Sequence, residues 1–202
     1  MSLTATEKVL QLIQERGMVR ARDLTAIDIS PTHLQRLYER GLVQRSGRGI
    51  YLPADAPLDE NTSLEEVALR VPAGVICLLS ALQFHGLTTQ LPHQVWLALP
   101  LRANTPHLDY PPLRVVRLSG DALTEGIEKH SVRNVTIRVF GPAKTVADCF
   151  KFRSQIGQDV ALEALHDCWR KRRATIKELW HYAKVCRVTT VMRPYLESLV
   201  VA

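Results

Sequence analysis

No run of about 18 uncharged apolar residues occurs in the chain, so no segment reads as a helix crossing a bilayer. Residues 1–16 also lack the basic start and apolar block of a secretory signal, because Glu7, Lys8 and Glu15 interrupt them. A cytoplasmic protein is expected. Cysteine is scarce. Cys77, Cys149, Cys168 and Cys186 stand far apart with no C-x-x-C pair, each in apolar, helix-like surroundings. That spacing argues against a zinc site, and a disulfide framework would need an oxidising compartment; buried free thiols are expected. The chain contains neither a P-loop nor a G-x-G-x-x-G, and its seven histidines form no H-x-x-x-H or H-E-x-x-H pattern. No metal, no cofactor and no catalytic constellation are therefore expected. The acids Asp148, Asp159 and Glu163 fall on helical stretches without partners at metal-ligand spacing. Asp148 reads instead as the i,i+4 partner of Lys144. His85, just before Gly86, reads as a helix-end side chain bonding backbone carbonyls.

What is present is an ordinary globular composition. The 202 residues are 46% hydrophobic, enough for a sizeable core, and carry a net charge of +6. The charge is uneven. Residues 1–53 hold eight Lys/Arg against five Asp/Glu, residues 54–90 one against five, and residues 91–202 seventeen against ten. A basic end, an acidic connector and a basic body suggest modules with different partners, and basic charge favours polyanions.

The first fifty residues have a definite pattern. Thr4 with Glu7 three residues later forms a capping-box signature, and Val9, Leu10, Leu12 and Ile13 give an apolar face up to Gly17. Arg20 to Ala26 reads as a second short helix with Ala21 and Leu24 inward. Ser30-Pro31 starts a third, with Ser as cap and Pro at the first helical position, which runs to Arg40 before Gly41. Leu42 to Arg45 and Ile50 to Leu52 read as strands joined by Ser46-Gly47-Arg48-Gly49, whose glycines permit the positive φ of a hairpin.

Three helices and a hairpin make a winged helix-turn-helix. The major groove admits one α-helix, so the third helix must be apolar on one side and carry donors on the other. Leu34, Leu37 and Tyr38 supply the inward side. Thr32, Gln35, Arg36, Glu39 and Arg40 supply the other, and His33 sits near the helix start, where recognition helices commonly touch base edges. Arg36 is suited to guanine, Gln35 to adenine, and Thr32 to a phosphate or a thymine methyl. Arg45 and Arg48 flank the hairpin tip and suit phosphates or the minor groove; Arg20 and Arg22 suit phosphates beside the second helix. The partner expected is double-stranded operator DNA, and inverted repeats would require a two-fold arrangement of the protein. The competing reading is a winged helix that only docks proteins.

Beyond Pro53 a mixed α/β (α+β) domain is expected: residues 1–53 as the winged helix, 54–62 as linker, and 63–202 as a small β-sheet with a helical C-terminal block. Thr62-Ser63 with Glu65-Glu66 begins a helix, and Val75 to His85 reads as a buried one. Gln94–Leu99, Leu113–Leu118 and Val135–Phe140 read as strands, and Pro100 to Pro112 as a proline-rich loop. Helices follow near 142–152, 158–172, 175–186 and 189–199, with Pro194 expected to kink or shorten the last. Trp169, Trp180 and Tyr182 read as core. Arg170, Lys171, Arg172 and Arg173 end a helix, where cations suit the dipole; the alternative is a second surface for a polyanion or an acidic partner.

Four segments in order, GRGIYLP, LLSALQFHGLTTQLPHQVWLALP, VFGPAKTVADCFKFR and RPYLESL, resemble the AbiEi-type antitoxins of type IV toxin–antitoxin systems. The resemblance runs through nearly the whole chain. It implies an N-terminal winged helix, a C-terminal α/β antitoxin domain, repression of the protein's own operon, and a functional link to a nucleotidyltransferase-like toxin without obligatory direct contact. It gives no residue assignment for the antitoxin half. A stand-alone regulator with the same architecture is the alternative, and an enzyme is not expected.

Overall fold

The computed structural model describes residues 4–47, 49–57 and 60–201. The chain divides into two compact units. The first comprises residues 1–72 with 107–111 and 130–137; the second comprises 73–106, 112–129 and 138–202. The first unit runs past Pro53 to residue 72, and a helix begins at Glu60, inside the stretch 54–62 expected as linker.

The first unit starts with α1 (Ala5–Arg16). Thr4 and Glu7 cap it reciprocally: the Glu7 carboxylate accepts from the Thr4 backbone at 2.7 Å, and the Thr4 hydroxyl accepts from Glu7 N–H at 3.3 Å. Strand β1 (Val19–Arg20) leads into a 3₁₀ helix (Ala21–Ile27), then α2 (Thr32–Glu39), β2 (Val43–Gly47) and β3 (Ile50–Pro53). The sheet order β1-β3-β2 is antiparallel throughout, with Val19 opposite Tyr51 and Arg45 opposite Tyr51. Helix α2 begins at Thr32 rather than Pro31. Ser30 Oγ still accepts from Thr32 N–H, at 3.4 Å. Val9, Ile13, Val19, Leu24, Ile29, Leu34, Leu37, Val43 and Tyr51 form one buried cluster. Burying a Leu or Ile side chain stabilises by about 1.5–3 kcal/mol, which is what fixes three short helices that would not persist alone.

Helix α3 (Glu60–Arg70) belongs to the same unit, and here the acidic stretch is explained. Glu65 and Glu66 are fully buried. Glu65 accepts from the Arg133 guanidinium at 2.9 and 3.1 Å, and Arg133 also donates to Thr62 and the Pro57 carbonyl. Glu66 accepts from Arg70 at 2.8 Å and from Ser46 at 3.1 Å. Two of the five acids of residues 54–90 are therefore spent on internal ion pairs, while Asp55 is exposed. Arg133 and Asn134 have φ of 44° and 65°, the two positive values of a tight hairpin turn.

The second unit is built on β4 (Val75–Ile76), α4 (Leu78–Phe84), β5 (Val95–Pro100), β6 (Leu113–Leu118), α5 (Asp121–Thr124), α6 (Pro142–Lys151), α7 (Arg153–Ile156), α8 (Gln158–Arg170), α9 (Ile176–Val185) and α10 (Thr189–Val201), together with the outer parts of β7 (Ile127–Val132) and β8 (Val135–Phe140), whose residues 130–137 belong to the first unit. The five-stranded sheet has the order β6-β5-β4-β8-β7; β4 is antiparallel to β5 and parallel to β8, and β5 is parallel to β6. The expected helix over Val75 to His85 is in fact a short strand followed by α4. Its first two residues pair with Ala98 and Leu97, and this ladder takes the place of a first helical turn. Helix α10 is not shortened at Pro194. Met192 and Leu196, fully buried on either side of it, hold the helix while Pro194 faces solvent.

Helix α6 is the core of this unit, buried from Ala143 to Phe150. It carries the expected Lys144–Asp148 pair, but wholly inside: Nζ donates to Oδ2 at 2.5 Å, with both side chains at most 1% exposed. Lys144 Nζ also lies 4.0 Å from the Phe140 ring centroid, and Cys186 Sγ donates to Asp148 at 3.2 Å. All four cysteines are free and buried. His85 bonds a backbone carbonyl, that of Phe140 on β8, at 2.8 Å. Since a carbonyl only accepts, Nε2 carries the proton. Trp180 and Tyr182 pack against the core cluster, half-buried. Among the described residues no helix is long and apolar enough to cross a membrane.

Candidate nucleic-acid interface

Helix α2 is amphipathic in the way a recognition helix needs. Leu34 and Leu37 are buried beneath it, and Thr32, Gln35, Arg36, Glu39 and Arg40 are exposed; His33 is half-buried near the start. Tyr38 departs from expectation. Helical spacing puts it on the inward side with Leu34 and Leu37, yet it is 44% exposed. The helix has eight residues, and the cluster beneath it closes over Leu34 and Leu37 alone, so Tyr38 near the C-terminal end finds no apolar cover. The helix ends with Gly41 at φ 69° and a Leu42 N–H donated to the Leu37 carbonyl at 2.9 Å.

The polar face is partly ordered. Gln35 Nε2 donates to Glu39 Oε1 at 3.0 Å, one turn on, and the Tyr51 hydroxyl lies 3.5 Å from its carbonyl oxygen. Gln35 therefore presents a fixed amide, and meeting adenine would require it to release Glu39. Arg36 and Arg40 extend from the same face.

The wing is braced from behind. Strands β2 and β3 slip register between Arg45 and Gly47, forming a bulge that re-aims the strand end. At Gly47 an added Cβ would stand 2.2 Å from the Glu66 carboxylate, so a larger residue there must push that carboxylate away from Arg70 and Ser46. Arg45 is exposed and donates through Nε to the Gly47 carbonyl at 3.1 Å, which holds its guanidinium at the wing's end. Arg48 lies outside the described residues.

Beside the wing a cleft of 330 Å³ is lined by Arg20, Arg22 and Arg70 together with Ala21, Gly49 and Ile50. Its arginines differ in what they already hold. Arg20 grips Asp23 through Nε and Nη2, and its Nη1 donates to the Leu69 carbonyl at 2.6 Å. Burial pushes the Asp23 carboxyl up, but the Arg20 side-chain and backbone bonds outweigh it and hold the group below its ordinary range. Arg22 is exposed. Arg70, on α3, had no place in the sequence-derived set. Nothing in a linear reading brings residue 70 to the wing; the Glu66–Arg70 spacing on one helix face was the available signal.

The second expected surface is separate from this one in composition. At the end of α8, Arg170 donates to Asp167 at 2.7 Å, and Lys171 donates to Asp167 at 2.6 Å and to the Gly86 carbonyl at 2.7 Å. Those bonds hold the Asp167 carboxyl below its ordinary value. Two of the four cations thus serve the helix end. Arg172 and Arg173 are exposed.

A helix anchored by two leucines, a 3₁₀ helix before it and a two-stranded wing after it, completed by β1 into a three-stranded sheet, together form a winged helix-turn-helix. Residues 7–54 match the family of transcriptional regulators described as AbiEi antitoxin. The AbiEi match thus covers α1 through the end of the wing and ends there. The fold as a whole is similar to the crystal structure of the RV2827C protein from Mycobacterium tuberculosis, with a TM-score of 0.59 and 16% identity over 91% of this chain and 72% of that one. At that identity the likeness is one of fold. No curated protein matches the sequence.

Proposed function

We propose that the AbiEi-type winged helix binds operator DNA, with α2 in the major groove and the wing on the adjacent backbone, and that the protein represses its own operon as the antitoxin of a type IV toxin–antitoxin system. The observation that carries the reading is the division of α2: two buried leucines fix the helix, and Thr32, Gln35, Arg36 and Arg40 stand outward from it. In this reading Arg36 meets a guanine edge. Gln35 exchanges its Glu39 bond for adenine, and Thr32, His33 and Arg40 hold the register. Arg22, Arg45 and Arg48 meet phosphates. Arg20, already gripped by Asp23 and Leu69, contributes by stiffening the start of the 3₁₀ helix and adds only its residual charge to the phosphate field. The toxin countered would be nucleotidyltransferase-like, and the protein would act in the cytoplasm without catalysis of its own.

The test is fluorescence anisotropy of the full chain on labelled duplexes from upstream of its own reading frame, from about 50 to 200 mM salt. The reading expects tighter binding to that DNA than to a shuffled duplex, and a steep loss of affinity with salt as counterions are released. A flat salt dependence would favour the protein-docking alternative.

A further inference from the structure

We propose that the second unit binds a compact anion carrying two or more phosphate groups, in a pocket formed by Arg117, Lys151, Lys184 and Arg187. The pocket has a volume of 390 Å³, within the size range of small-ligand sites, and its remaining walls come from the segment Leu118–Ala122 and from Val185. Four cations face one acid, Asp121.

Such cations have an ordinary use. Lys151 and Lys184 lie in the last turns of α6 and α9, where positive charge complements the partly negative helix end. That accounts for one cation per helix and leaves Arg117 and Arg187 in excess of what Asp121 neutralises. Arg117 comes from β6, not from a helix end. Its guanidinium is fixed by bonds from Nη1 to the Pro100 carbonyl (3.0 Å) and from Nη2 to Thr105 Oγ1 (2.7 Å), which leaves further N–H donors oriented but unused. Among the described residues, the side chains of Lys151, Lys184 and Arg187 have no ion-pair or hydrogen-bond partner.

The backbone of Arg187 points the same way. It follows the end of α9 with φ 60°, and the next N–H, of Val188, returns to the Ala183 carbonyl at 2.8 Å. That is the position where helices prefer glycine. An arginine held there keeps a strained backbone and places a guanidinium at the pocket. No aromatic residue lines the pocket, so nothing offers a platform for a base. Binding energy must come from phosphate oxygens, through charge-assisted and bidentate bonds. The ligand is therefore inorganic pyrophosphate or the polyphosphate tail of a nucleotide, read without regard to its base.

The experiment is isothermal titration of the full chain at low salt with pyrophosphate, with ATP and CTP, and with a short single-stranded oligonucleotide. The inference expects pyrophosphate and both nucleotides to bind with a Kd below about 1 mM. Arg187→Gly and Lys184→Gln should each weaken binding about tenfold, as loss of a charge-assisted bond requires. Arg187→Gly relieves the positive φ, so its melting temperature should be equal to or above wild type, and weakened binding cannot then be blamed on misfolding. Arg172→Gly, at the matching position after α8 (φ 51°) but outside the pocket, should bind as wild type. Absence of binding by pyrophosphate and nucleotides overturns the inference. So do binding of the oligonucleotide alone, retention of wild-type affinity by Arg187→Gly and Lys184→Gln, and an equal loss in Arg172→Gly. DNA binding through α2 is unaffected by any of these results.

Discussion

Replacing Lys144 by methionine should produce the largest stability loss of any single change at a charged residue of the second unit. The side chain is 0% exposed, and its ammonium is the ion-pair partner of Asp148, itself 1% exposed. Methionine fills nearly the same space and leaves the carboxylate buried without its cation. Removing one member of a buried pair costs about 3–5 kcal/mol. The charge part has a ceiling, because Asp148 escapes by taking a proton. Starting from its ordinary value of 3.8, neutralising it at pH 7 costs at most about 4.4 kcal/mol. Burial already pushes the Asp148 carboxyl up in the wild type, with Lys144 the chief pull downward; in the variant only the smaller pulls of the Cys186 thiol and Lys151 oppose burial. A group whose folded value is raised binds more protons folded than unfolded, so its contribution falls as pH rises through the window between the two values. The deficit of Lys144→Met should be greatest at pH 7 and shrink as pH falls toward 4. Urea unfolding measured at both values checks this. Lys144→Met/Asp148→Leu should recover most of the loss, since an apolar pair of similar volume needs no partner. A deficit independent of pH, or a double variant no better than the single, would refute the ion-pair account and leave lost packing as the cause.

Three further outcomes follow. Gly47→Ala sets a Cβ 2.2 Å from the buried Glu66 carboxylate, so it should destabilise the first unit by about 1–3 kcal/mol, measured by urea unfolding, and loosen the wing. Thr175→Ala removes a capping box in which the backbone and side chain of Thr175 hold the Glu178 carboxyl below its ordinary 4.5. The cost should be about 1 kcal/mol at neutral pH. Because the folded value is depressed, the difference from wild type should shrink as pH falls below 4.5 in parallel melts. His85→Leu removes the 2.8 Å bond to the Phe140 carbonyl, which keeps its bond from the Thr145 hydroxyl. A loss of about 1–2 kcal/mol is expected by chemical denaturation.

Much of the first unit was legible because its signals are local. Thr4 with Glu7, Gly17, Gly41 and the glycines around Arg48 mark element ends within a few residues of where they act. The strands Leu113–Leu118 and Val135–Phe140 were legible for the same reason, and so were the helices after Pro142. Three strands were not. β1 and β4 have two residues each, too few to show a period. β7 lies at the sheet edge, where its charged residues Glu128 and Lys129 hide the alternation. Tyr38 failed because helical spacing gives direction but not cover. The brace of Glu66 behind Gly47, the place of Arg70 beside the wing, and the gathering of Arg117, Lys151, Lys184 and Arg187 depend on contacts between residues far apart in sequence. No window of the chain contains them.

The central claim is that α2 reads base edges while the wing holds the backbone. Its most direct measurement is a gel-shift titration of wild type, Arg36→Ala and Arg48→Ala on the upstream duplex and on a scrambled duplex. Arg36→Ala should cost about 1–3 kcal/mol on the upstream duplex and much less on the scrambled one, while Arg48→Ala should weaken both alike. Equal losses for Arg36→Ala on the two duplexes would contradict base readout by this helix.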